Sequence, residues 1–444
     1  MPDRNNPDQE PKQKRQFIRE KVVKPPMTRR QAAGRLCVFL LIAGIGGAAA
    51  GVSFAVAKPL AQKYLVPEET TESIPITIPK DDPETVPPET TPTEITESVT
   101  ESETDETEPV EELIQSAMEN YEHDTEDLMS MYASLRKVVS DADKGVVVVH
   151  SVKQEVDWFD NPVETSGLYA GVVIASTRQE LLILTPDSAV ENADSIKVTF
   201  SDGTEADGSI KQTDTVSGMA IVSVEASALS DNTKTNVTAL ALGNSYGVKQ
   251  GDIVIALGAP SGFVHSSTYG FVSYVMRNVQ VADGITRLLF ADIESSAETG
   301  TFLLNTSGEV IGWVTDVYQK ELDTNLTIAM AISDYKTILE KMSNGIAAPY
   351  LGIKGQEVSA SMASSGLPMG VYVADCILDG PAYNAGIQNG DVIVKVGDKA
   401  ISTIKDYQNQ LEALSRDEVV TVVVQRKGID EYKELEYQVT VGAR

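Results

Sequence analysis

Residues 291–313, ADIESSAETGTFLLNTSGEVIGW, decide how the rest of the chain is read. The second half of this stretch alternates apolar and small residues. It turns through Asn305, Thr306, Ser307 and Gly308, then runs into Glu309, Val310, Ile311, Gly312 and Trp313. Two short apolar runs about a polar, glycine-ended turn read as a β-hairpin. Outward from it, further β-rich runs occur at 146–149, 169–174, 181–184, 196–200, 220–224, 253–257, 269–274 and 288–291. Asp202-Gly203 supplies a tight hairpin turn between two of these runs. Many short strands at regular spacing indicate an all-β barrel or sandwich.

Length and charge bound the function. At 444 residues the chain has room for two or three domains with real cores. A formal charge of −29 argues against nucleic acid as a partner, because neutralising phosphates needs clustered Lys and Arg. Cys37 and Cys376 lie in different segments, so no disulfide framework is implied. His123, His150 and His265 are the only histidines, and no metal or nucleotide motif is present. No cofactor and no metal site are expected.

The N-terminal part reads as an anchor and a spacer. Residues 1–35 form a basic tail, and residues 36–57 carry no charge. A span of about 20 apolar residues crosses a bilayer. A single transmembrane helix is therefore expected at 36–57, with the N-terminus cytoplasmic and the rest outside the cell membrane. Ala43, Gly47, Gly51 and Ala55 recur every fourth residue, as in helices that pair, although small residues are common in any membrane helix. Residues 58–110, rich in Thr, Pro and Glu, are expected to form a disordered stalk. A helical collar is expected at 111–140, where Leu113, Met118, Tyr121, Leu128, Met131 and Leu135 bring back an apolar pattern.

The 291–313 hairpin resembles the nucleophile hairpin of the HtrA/DegP family of trypsin-like serine proteases. The segments LTPDSAVENADSIKVTFSDGTE, ALGNSYGVKQGDIVIALGAPSGFVHSSTYGFVS and NTSGEVIGWVTD match that family in order and at its spacing. The resemblance implies a mainly β fold: two chymotrypsin-like six-stranded β-barrels over 141–345. An α+β PDZ domain over 346–444 follows them, with a run 381–393, PAYNAGIQNGDVI, similar to the family's. It further implies a peptide site that captures a terminal carboxylate on exposed backbone N–H groups and adds the peptide as a strand. Tyr350, Leu351, Gly352 and Ile353 match that loop and edge strand, and Tyr407 and Leu411 on a helix over 402–415 would line the groove.

The resemblance places the catalytic positions as well. The general-base histidine falls on Ser188, the orienting aspartate on Gly218 and the nucleophilic serine on Thr299. A hydroxyl attacks a carbonyl only when a neighbouring base takes its proton. Ser188 is no base near neutral pH, Gly218 orients nothing, and Glu298 sets a carboxylate where an oxyanion would form. No catalytic residue is therefore expected. The expectation is a membrane-anchored, extracytoplasmic pseudoprotease that binds unfolded or C-terminal peptide segments in a regulatory or protein-quality-control role. The family also implies a trimer, with itself or with active relatives. The rival is an active serine-type endopeptidase, with Thr299 served by a lysine, Asp187, Glu298, His150 or His265.

Overall fold

The computed structural model describes residues 75–82 and 124–444, apart from 157–161, 294, 296, 319–321 and 323. The basic tail, the expected membrane helix at 36–57, most of the stalk and the first part of the collar lie outside the described residues. Among the described residues, no helix is long and apolar enough to cross a membrane.

Helix α1, Thr125–Ala142, opens the continuous part. Asp124 caps it by accepting the Glu126 and Asp127 N–H groups, and the Asp127 side chain reaches back to the Asp124 N–H. Only Leu135 and Ala142 of this helix are buried, and both join the core shared between the barrels, with Val138 and Val139 packed against it.

Two closed six-stranded barrels follow. The first contains β1 (Val146–Val156), β2 (Pro162–Ser176), β3 (Glu180–Pro186), β4 (Ser195–Thr199), β5 (Glu205–Asp214) and β6 (Met219–Glu225). They close in the order β1-β2-β3-β6-β5-β4. The second contains β7 (Ile253–Gly258), β8 (Ser266–Val281), β9 (Gly284–Ala291), β10 (Thr301–Leu304), β11 (Val310–Val314) and β12 (Thr327–Ala331). Their order is β10-β11-β12-β9-β8-β7. The hairpin that opened the sequence reading is β10–β11, with Phe302 opposite Trp313.

Side chains alternate across a strand, and in β3 and β10 both faces are dry. In β3, Leu181 and Ile183 fill the first barrel, while Leu182 and Leu184 turn to a core shared between the barrels. In β10, Leu303 fills the second barrel, while Phe302 and Leu304 join the shared core. This two-sided burial is why the strands read as unbroken apolar runs.

After α2, Lys336–Ser343, the chain enters the PDZ domain. Its sheet has the order β14 (Ile353–Glu357), β15 (Val371–Cys376), β16 (Val392–Val396), β18 (Val419–Lys427), β19 (Tyr432–Thr440), with β17 (Lys399–Ala400) beside β16. A separate pair joins β13, Pro349–Tyr350, to β20, Gly442–Ala443. Helix α3 runs Ile404–Glu412, shorter at both ends than the expected 402–415, and a capping box of Thr403 and Asp406 sets its start. Its buried face carries Ile404, Tyr407 and Leu411.

Residues 75–82 correct the reading of 58–110 as one disordered stalk. They lie along α2 as a strap. Asn344 Oδ1 accepts the Ile76 N–H at 2.9 Å and Glu340 Oε2 accepts the Ile78 N–H at 2.9 Å. Ile78 is buried in the shared core. Asp81 sits 2.8 Å from the buried Lys336 ammonium and accepts the Ser333 hydroxyl. Ile76 and Ile78, two residues apart, are the apolar side chains that this piece packs inward.

Candidate functional site

Three turns meet at one cleft of about 450 Å³. The first follows β3, where a short helical turn at Asp187–Ala189 carries Ser188. The second links β5 to β6 and carries Gly218, at φ +69°. The two are joined by a hydrogen bond from the Asp187 N–H to the Gly218 carbonyl, at 3.0 Å. The third precedes β10. Its Thr299 carbonyl accepts the Ala170 N–H of the first barrel at 2.7 Å, and its Gly300 carbonyl accepts the Ala259 N–H of the second at 2.8 Å. At Gly300, φ is +88° and a Cβ would stand 2.5 Å from the Ala170 carbonyl oxygen, so only glycine fits there.

Ser188, Gly218, Glu298 and Gly300 line the cleft, whereas the Thr299 side chain does not. The Thr299 hydroxyl donates to the Ala259 carbonyl at 3.3 Å. Its proton is directed to a neutral main-chain acceptor. Among the described residues, the ionisable ones lining the cleft are Asp187, Glu298 and Asp316, together with Tyr169; none is a histidine, lysine or arginine. Burial pushes the Asp187 carboxyl above its ordinary range, against the pull of the Ser188 N–H. His150 Nε2 pairs with the Thr199 hydroxyl at 2.9 Å, on β1, and His265 Nδ1 lies 3.0 Å from Asp143 Oδ1. Neither lines the cleft.

The second site lies where the PDZ domain meets the second barrel. The N–H groups of Leu351, Gly352 and Ile353 converge, with Gly352 at φ +82°. All three donate to the carboxylate of Asp283, Leu351 at 2.8 Å, Gly352 at 2.9 Å and Ile353 at 3.1 Å. The Tyr407 hydroxyl donates to the same carboxylate at 2.7 Å. Asp283 is itself buried, at the turn between β8 and β9. Burial pushes its carboxyl upward while these donors pull it back, and burial also raises the Tyr407 hydroxyl. Leu411 is buried one helical turn on from Tyr407, and Tyr350 is half-buried.

The six residues expected at the peptide site are thus brought together, but not around an open groove. The residue that sequence reasoning missed is Asp283. Its local signal, an Asp-Gly hairpin turn, says nothing of a contact 68 positions away.

Comparison with known proteins fits this arrangement. Residues 170–312 match the trypsin-like peptidase domain family, and residues 349–439 match the PDZ domain family. A protein of Pseudomonas fulva named "Probable periplasmic serine endoprotease DegP-like" is 31% identical over 275 residues, 60% of this chain and 54% of the relative. The chain is HtrA/DegP-like. A protein of the same name from Ectopseudomonas mendocina is 30% identical over 272 residues, 60% of this chain and 55% of that relative. The HtrA-like chain therefore spans about half the length of these curated relatives. Among solved structures, "HtrA-type protease AlgW with decapeptide" is similar at a TM-score of 0.50 and 22% identity, covering 70% of this chain and 98% of that one. At that identity the likeness concerns the fold.

Proposed function

We propose that this HtrA-like chain is a pseudoprotease, anchored in the cell membrane by residues 36–57. Its domains stand outside the cytoplasm, and its PDZ domain binds peptides or protein C-termini in a regulatory or quality-control role. The observation that carries this reading is the fate of the Thr299 hydroxyl. It is bonded to the Ala259 carbonyl, behind a cleft lined by Ser188 and Gly218 at the base and orienting positions. Without a base the hydroxyl keeps its proton, and Glu298 beside it opposes negative charge on a substrate oxygen. The trimer stays a family expectation and belongs to this proposal, as does assembly with active relatives.

The rival reading, an endopeptidase with Thr299 as nucleophile, draws its support from Asp187. This carboxyl lines the cleft and its proton affinity is raised by burial. A fluorophosphonate probe, which traps activated hydroxyl nucleophiles, separates the two. The full chain stays unlabelled if the pseudoprotease reading holds. Labelling that maps to Thr299 overturns it.

A further inference from the structure

The loop that would capture a peptide carboxylate already holds one. We propose that Asp283 is an internal ligand: the β8–β9 hairpin of the second barrel occupies the PDZ recognition loop and closes it to external peptides until it withdraws. This rests on the reading of that loop as a peptide site, and is indifferent to whether the barrels cleave anything.

The hairpin reproduces both halves of terminal-peptide recognition. A terminal carboxylate is held by successive backbone N–H groups, and the peptide main chain adds to a sheet edge. Asp283 supplies the carboxylate to Leu351, Gly352 and Ile353. Its own N–H donates to the Ile353 carbonyl at 2.7 Å, and Ala282 pairs antiparallel with Lys354 at the start of β14. The tip is also held from behind, since Arg444 donates from Nη1 to the Ala282 carbonyl at 3.2 Å. Gly284 lies so close to α3 that a Cβ would meet the Gln408 side chain at 3.0 Å. The space left beside Asp283, Gln408 and Leu411 is about 20 Å³, which holds at most a water. An external C-terminus therefore cannot join Asp283; it must displace it.

The contact is built for this turn. Asp283 adopts φ +63°, a conformation that Asp tolerates better than most residues, and this aims its side chain at the loop. A buried carboxylate is costly unless donors surround it, and four converge here. Binding then follows competition: the apparent affinity for an added peptide is the intrinsic affinity reduced by the fraction of chains with the hairpin withdrawn.

The test uses the full chain, its Asp283→Ala variant and the milder Asp283→Asn, which keeps shape and an acceptor. Two quantities are read: amide exchange at residues 351–353, and binding of fluorescein-labelled decapeptides with apolar, free C-termini. The same peptides with amidated C-termini serve as the control. Asp283→Ala is expected to speed exchange at 351–353 and to bind free-carboxylate peptides at least about tenfold more tightly than the parent. Asp283→Asn is expected to fall between, and amidated peptides to gain nothing. Unchanged exchange, with parent and variants binding alike, overturns the internal ligand and leaves the peptide site standing. Faster exchange with no peptide bound by any form overturns the peptide site itself, and the gating role with it.

Discussion

Asp214, at the end of β5, and Arg444, after β20, form a buried ion pair between the first barrel and the C-terminal end of the chain. Their Nε–Oδ1 separation is 3.0 Å, and the side chains are 0% and 6% exposed. Neither Asp214 Oδ2 nor Arg444 Nε has a well-directed hydrogen-bond partner, so charge attraction holds the contact. Asp214 opens the turn that carries Gly218, and Arg444 also bonds the Ala282 carbonyl next to Asp283. The cleft wall and the PDZ plug thus meet on one guanidinium.

Removing that guanidinium strands a buried carboxylate. Arg444→Met is expected to destabilise the chain by about 3–5 kcal/mol, the usual result of breaking a buried pair from one side. Adding Asp214→Asn removes the stranded charge and should recover most of the loss. Denaturant unfolding of the single and double variants checks this. Equal losses in both would mean that the pair is not what holds this junction.

The strap at 75–82 depends on Asp81, which faces Lys336 at 2.8 Å. Asp81→Ala leaves the Lys336 ammonium, 4% exposed, with the Leu242 carbonyl as its remaining partner. Release of the strap should then cost at least ~1.4 kcal/mol less, a factor of about ten in the open population. Limited trypsin digestion reads this directly, because Lys80 lies in the strap and is exposed. Cleavage after Lys80 should be about tenfold faster in the variant, and an unchanged rate would mean that the ion pair does not hold the strap.

His265 gives a small pH dependence with a definite sign. The Asp143 carboxylate raises its proton affinity above the ordinary value of 6.5. The pair therefore adds stability below about pH 6.5 and loses it as the pH rises through the raised value. Both side chains are about a third exposed, at 30% and 33%, which limits the effect to below about 1 kcal/mol. His265→Gln should melt below the parent at about pH 5.5, with the gap closing near about pH 8.5. A gap of constant size would assign the loss to packing.

The sequence made most of the barrel legible because nearly every strand with apolar side chains on two dry faces announces itself. Leu181 to Leu184 and Val310 to Val314 are of this kind. Strand β5 was not legible. EADGSIKQTD has few apolar residues, and it is a strand because β4 and β6 pair with it on either side. Strand β12, TIAMA, was hidden by its shortness and two alanines, although all five residues are buried between β9 and β11. The resemblance assigned Ser188, Gly218 and Thr299 to the catalytic positions, but the hydrogen bond from Thr299 to Ala259 could not be read from it. Asp283 was out of reach for a different reason. Its partners are set by how the PDZ domain seats on the second barrel, and no local pattern encodes that.

The most direct test of the central claim is cleavage of unfolded casein by the full chain, beside its Thr299→Ala variant. Loss of a serine-protease triad lowers turnover on the order of 10⁶-fold, so the account predicts no detectable cleavage by either protein. Cleavage by the parent that disappears in Thr299→Ala would contradict it, and would make Thr299 a nucleophile served by a base in the cleft.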